Sequence, residues 1–195
     1  MLVKLDDFHI KVFTNSSIVN KVCLLSLIMS LLGCVNSREK DIRNCLNNEL
    51  YIENIDSVYH NQKLVPYLEF RKEYNYIYVV YLQDDCTPCY YNYLEWSRQM
   101  SNPELETDRH TVLFIIASYN YDDFIRKINK IEEVNNDFYI AIDPNFYFID
   151  KNNNIPRWII DASVLIDSEN KIKMVGAPWI NEDMQKLFHK TVNSK

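Results

Sequence analysis

Hydrophobic positions recur along this chain with two alternating periods, and the alternation predicts an α/β fold. Tyr76-Ile-Tyr-Val-Val-Tyr-Leu82 is a continuous β-branched and aromatic run, the pattern of a strand covered on both faces. Cys89, Tyr93, Trp96 and Met100 then recur four, three and four residues apart, predicting an amphipathic helix from Tyr90 to Met100. Thr111 to Ala117 reads as a second buried strand. Tyr121 to Val134 reads as a helix with Phe124, Ile128 and Ile131 inward and Asp122-Asp123 at its positive end. Phe138 to Ile142 gives a third strand, stopped at Asp143-Pro144, and Lys151 to Asn154 reads as a loop. Ser163–Asp167 and Lys171–Val175 flank Ser168-Glu-Asn170 as an antiparallel hairpin, and Asn181 caps a last helix with Met184, Leu187 and Phe188 on one face.

Upstream the pattern is weaker. Ile42, Leu46 and Leu50 suggest a helix, and Tyr51 to Tyr59 holds room for a short strand. Leu64, Tyr67, Leu68 and Arg71 have helical spacing over Lys63 to Tyr74, with Pro66 tolerable only in a first turn. The alternating strand and helix units imply a parallel core, to which the hairpin adds antiparallel strands. No internal repeat is visible.

The composition fits one globular domain with an appendage: 195 residues, 47% hydrophobic and 25% charged. A formal charge of -6 without a Lys/Arg cluster argues against a nucleic-acid partner. Gly occurs only 2 times, so Asn and Asp are expected at turn positions with positive φ.

The appendage is N-terminal. Val22 to Leu32 is an uncharged apolar run behind Lys21, of signal-peptide rather than membrane-spanning length, and it ends at Gly33-Cys34. Leu31-Leu-Gly-Cys34 resembles the lipobox of bacterial lipoproteins, where cleavage precedes a cysteine that takes lipid. The division expected is residues 1–33 as signal peptide, 34–47 as lipidated Cys34 and tether, and 48–195 as the folded domain. A buried helix ending in Gly-Cys is the alternative. Asp6 and Asp7 are unusual in such a leader and fit either a translation start nearer Lys21 or a leader that tolerates them.

Cys86-Thr87-Pro88-Cys89 lies where the first buried strand turns into a helix. Two cysteines so spaced can close a disulfide across one helical turn, and an exported protein meets an oxidising compartment. A thiolate at the first position gains from the helix N-terminus and its dipole, and the thiolate is the nucleophile. Cys86 is then the attacking sulfur, and Cys89, one turn further in and more buried, resolves the mixed disulfide. Pro88 suits a first helical turn because it has no N–H to leave unpaired. Cys45 reads as a small buried hydrophobe.

The strand–Cys-x-Pro-Cys–helix unit and the hairpin strand ending Val-Leu-Ile-Asp resemble the thioredoxin superfamily. The likeness is greatest to membrane-tethered thioredoxin-like lipoproteins of the TlpA/ResA type. It covers about Tyr76 to Val192, and Gly176 matches a glycine common after the last strand. The resemblance implies a thioredoxin-like α/β fold, a central mixed sheet with a C-terminal β-hairpin flanked by helices. It implies a lipid-anchored thiol–disulfide oxidoreductase in the bacterial cell envelope, facing the periplasm. Its partners are disulfide-containing exported proteins, a thiol reductant or oxidant, and the membrane through the lipid on Cys34. No cofactor beyond the cysteines and no metal is implied; a copper-delivering Cys pair wants a poised His, and His60, His110 and His189 lack ligand spacing to the pair.

Two departures qualify the resemblance. Relatives often carry Trp before the first cysteine, where this chain has Asp84-Asp85. Most also carry a cis-proline starting the hairpin strand, presenting backbone to substrate; counting back from Val164 puts that position at Asp161, followed by Ala162. Asp85, Thr87, Pro88, Asp161 and Ala162 are therefore the residues expected to tune the pair or face substrate. Asp84, Asp85 and Asp161 put negative charge around the cysteines, so the Cys86 pKa is expected to be less depressed than in relatives. Asp161 can alternatively accept a proton from Cys89. The competing function is a non-catalytic binding module with a structural disulfide and a Tyr-rich face at Tyr90, Tyr91 and Tyr93.

Overall fold

Strand β3 (Tyr76–Gln83) sets the layers of the molecule. Ile77, Val79 and Tyr81 point to one face and Tyr78, Val80 and Leu82 to the other, and all six are buried, as its unbroken apolar run requires. The structure, a computed structural model, describes residues 37–52, 55–100, 102, 105, 110–134 and 138–193; the expected signal peptide and Cys34 lie outside them. Residues 41–195 form one compact unit.

In chain order the described elements are α1 (residues 37–45), β1 (Ser57–His60), β2 (Lys63–Pro66), α2 (Tyr67–Glu73), β3, α3 (Thr87–Met100) and β4 (His110–Ala117). Then come α4 (Tyr121–Asn129), β5 (Tyr139–Ile142), α5 (Tyr147–Lys151), α6 (Arg157–Asp161), β6 (Val164–Ile166), β7 (Ile172–Val175) and α7 (Glu182–Asn193). The strands form one sheet in the order β2-β1-β5-β4-β3-β6-β7. β3, β4 and β5 run parallel, with Tyr76 opposite His110 and Leu113 opposite Tyr139. β6 and β7 add the expected antiparallel hairpin, so the sheet is mixed as the sequence implies.

Helices cover both faces. Tyr93, Leu94 and Trp96 of α3, Phe124 and Ile128 of α4, and Phe188 and Val192 of α7 pack on the Tyr78 side. Phe70 of α2, Phe148 of α5, and Ile159 and Ile160 of α6 pack on the Tyr81 side. Cys45, inside the stretch expected to be tether, is 3% exposed and belongs to that second core.

Several elements differ from expectation. Lys63–Pro66 is a strand rather than the start of a helix. It pairs antiparallel with β1 across Asn61 and Gln62, both at positive φ, and the helix begins only after Pro66, whose missing N–H would break a longer one. α4 stops at Asn129, so Ile131 is 41% exposed instead of inward, and Leu187 of α7 is likewise exposed. Lys151 ends α5, and Asn152 beside it is buried, its side chain tied to the main chain of Tyr51 and to the Phe148 carbonyl. The scarcity of glycine has the expected consequence: Asn47, Asn61, Asp85 and Asn170 adopt positive φ, joined by Gln62, Phe146 and Ser163.

Candidate functional site

The site forms where β3 gives way to α3. The Cys86 carbonyl accepts from the N–H groups of Cys89 and Tyr90, so Cys86 is the residue from which the helix starts. Thr87 and Pro88 occupy the first helical positions, both exposed. Cys86 and Cys89 are joined in a disulfide with Cα atoms 5.2 Å apart. Both are half-buried, and Cys89 packs against the core beneath α3.

The turn before the disulfide is held by a cross-linked polar cluster. Asp85 sits at φ 58, in the left-handed region. Its N–H donates to Tyr90 Oη at 2.8 Å and to Asp84 Oδ1 at 2.9 Å. Tyr90 Oη in turn donates to Asp84 Oδ1, and Ser118 Oγ, at the end of β4, donates to Asp84 Oδ2. Lys127 on α4 closes the cluster, its Nζ 2.9 Å from Asp84 Oδ1 and 2.7 Å from Asp85 Oδ1. Burial pushes the Asp84 carboxyl up, but the bonds from Lys127, Tyr90, Ser118 and the Asp85 N–H outweigh it and hold the group below its usual range. Lys127 is held above the ordinary lysine range by its bonds to Asp85 and Asp84.

A cavity of about 250 Å³ opens beside the disulfide. Of the residues singled out in the sequence, Cys86, Pro88, Cys89 and Asp161 line it, while Asp85, Thr87 and Ala162 do not. Tyr81, Gln83, Asn92 and Arg157 line it as well. Arg157 Nε lies 2.7 Å from Asp161 Oδ1, and its guanidinium sits 5.0 Å from the Tyr81 ring centroid. Two further cavities, of about 190 and 400 Å³, lie around Asp143 and Arg71 and contain no cysteine.

The carboxylates expected around the pair have cations beside them. Asp84 and Asp85 share Lys127, and Asp161 is paired with Arg157, so three carboxylates face two cations instead of standing uncompensated. The position before β6 also differs: Asp161 ends α6, and the residue directly preceding the strand is Ser163, at φ 71. Arg157 could have been suspected from its four-residue spacing to Asp161. Nothing in the local sequence links Lys127 to Asp84 and Asp85, because that contact exists only after α4 packs beside α3.

Lys127→Met is expected to lower the reduction potential of the pair. Without the ammonium, the carboxylates at 84 and 85 oppose the Cys86 thiolate and so disfavour the reduced form. The shift expected is on the order of tenfold in the equilibrium with glutathione, or about 30 mV for a two-electron couple. Lys127→Arg should retain most of the wild-type value; equal potentials in Lys127→Met and wild type would remove Lys127 from this role.

No family model and no curated protein matches the sequence. Solved structures do match in shape. A protein from Chlorobium tepidum assigned as the thiol:disulfide interchange protein DsbE aligns over 76% of this chain and 98% of its own, at 15% identity and a TM-score of 0.53. The thioredoxin domain of a thiol-disulfide oxidoreductase from Bacteroides vulgatus aligns over 76% of this chain and 98% of its own, at 14% identity and a TM-score of 0.48. At such identities the first of these likenesses establishes the fold: this chain is thioredoxin-like in architecture.

Proposed function

We propose that this thioredoxin-like chain is a thiol–disulfide oxidoreductase whose working groups are Cys86 and Cys89. The observation that supports the reading most is a disulfide at the start of a 14-residue helix, opening into a cavity at the end of the central strand. In the reducing direction the Cys86 thiolate attacks one sulfur of a substrate disulfide. The substrate's other sulfur leaves as a thiolate and takes a proton from water. The Cys89 thiolate then attacks the Cys86 sulfur, releasing the second substrate thiol and regenerating the Cys86–Cys89 disulfide. The substrate gains two electrons and the dithiol loses two, so no further cofactor enters the step. The oxidising direction is the same sequence reversed.

The apolar run ending in Leu31-Leu-Gly-Cys34 supports export and a lipid anchor on Cys34, with exported proteins in the periplasm as substrates. A second reading, a binding module with a structural disulfide, is favoured by one feature. The N–H groups of Ala162 and Ser163, directly before the hairpin strand, are both bonded within the fold.

Insulin reduction with dithiothreitol as electron donor separates the two. The oxidoreductase reading expects turnover in the wild type and a fall to the uncatalysed rate in Cys86→Ser; background rates in both would favour the binding module.

A further inference from the structure

The main chain directly before the hairpin strand is largely engaged within the fold. The Ala162 N–H donates to the Trp158 carbonyl and the Ser163 N–H to the Ile160 carbonyl, both capping α6. The Ala162 carbonyl accepts from Ser163 Oγ, and the Ser163 carbonyl accepts from the Gly176 N–H. Both N–H groups are therefore spent, so an extended polypeptide arriving at Ala162 and Ser163 finds no free main-chain donor there.

The side chain best prepared for it is Arg157. Its Nε is bonded to Asp161 and its plane rests near the Tyr81 ring, so the guanidinium is oriented before any ligand arrives. Among the described residues Asp161 is its one hydrogen-bond acceptor, which leaves the Nη edge to donate. That edge belongs to a residue lining the same cavity as Cys86 and Cys89, and its side chain is 45% exposed. A guanidinium edge of this kind matches a carboxylate through two parallel N–H···O bonds.

We infer that Arg157 is a specificity-determining residue that receives a carboxylate carried close to the substrate disulfide. The inference deepens the thiol–disulfide reading and rests on it. The carboxylate can belong to a small disulfide acid or to an acidic residue beside a half-cystine in a polypeptide. Asp161 does not compete for the free edge; its one bond is to Nε, and it fixes the guanidinium of a residue that lines the cavity.

The test is single-turnover reduction by the dithiol form of the full chain. One substrate pair is the disulfide of N-acetylcysteine and that of its amide, each rate normalised to dithiothreitol. A second pair is disulfide-linked peptides with Asp or Asn next to the cysteine. The wild type should prefer the acid in at least one pair, and Arg157→Gln should lower that preference about fivefold, read as the acid-to-amide or Asp-to-Asn rate ratio within each variant so that any general change in reactivity cancels. Arg157→Lys should restore part of it, and added salt should weaken it. Loss confined to the small acids identifies a free carboxylate as the ligand; loss in the peptides identifies an acidic side chain. The same preference in wild type and Arg157→Gln overturns the inference while leaving the redox reading intact. No reduction of any substrate above the Cys86→Ser rate overturns both.

Discussion

Cys89→Ala is expected to stop turnover and leave the protein covalently joined to its substrate through Cys86, whereas Cys86→Ala is expected to form no adduct. The asymmetry follows from where the two sulfurs stand. Cys86 supplies the carbonyl that starts α3, so its thiolate lies at the positive end of a 14-residue helix. Cys89 is one turn inside the helix and packs against the core beneath it. Once Cys86 has attacked, the mixed disulfide has one fast exit, the sulfur of Cys89 at 5.2 Å between Cα atoms. Removing that exit without touching the nucleophile makes the intermediate accumulate. Mass spectrometry of the reduced variants mixed with a disulfide peptide reads the result: close to one peptide per chain on Cys89→Ala and none on Cys86→Ala. Adducts in the opposite variant would exchange the roles, and adducts in neither would favour the binding module.

The turn that carries this chemistry was legible because two signals coincide there. An unbroken apolar run must be a strand buried on both faces, and a Pro-containing Cys pair followed by a four-three-four stripe must open a helix. Each signal is local. The elements that were misread depend on distant partners. Lys63–Pro66 has helical spacing on paper but is drawn into the sheet by β1, through a turn that uses Asn61 and Gln62 rather than a telltale glycine. α6 is only five residues long and has no side-chain cap, so its two buried residues, Ile159 and Ile160, carry too little periodicity to announce it.

The site was legible to the same depth. The cysteines, Pro88 and Asp161 could be named, and Asp161 does line the cavity. The charges could be counted but not paired. Lys127 lies 42 residues beyond Asp85, and the parallel β3–β4 crossover is what returns α4 to the cysteine turn. Sequence reading therefore yields the sign of three carboxylates and misses the cations that offset them. Pairing is a property of packing.

Stability is expected to fall by up to about 3 kcal/mol as the pH drops from 6.5 to 4, and His110→Leu is expected to abolish that part of the loss. His110 opens β4 at 5% exposure, its ring 4.8 Å from that of Phe188 and 6.5 Å from that of Tyr78. Burial, helped by the neighbouring His189 charge, lowers its pKa from 6.5 to about 4. Above pH 6.5 the imidazole is neutral in folded and unfolded chains alike and contributes no slope. Between 6.5 and 4 the unfolded chain binds a proton that the folded chain refuses, so stability declines with falling pH. Below 4 both states are protonated and the cost levels off. Asp84 and Asp167 act in a different window. Their carboxyls are depressed in the fold, so their contributions persist above the unfolded carboxylate range and fade only beneath it. Denaturant unfolding at half-unit steps of pH isolates the histidine, because the slope is read independently of whatever the leucine does to packing at neutral pH. A slope in His110→Leu equal to that of the wild type would move the acid sensitivity elsewhere.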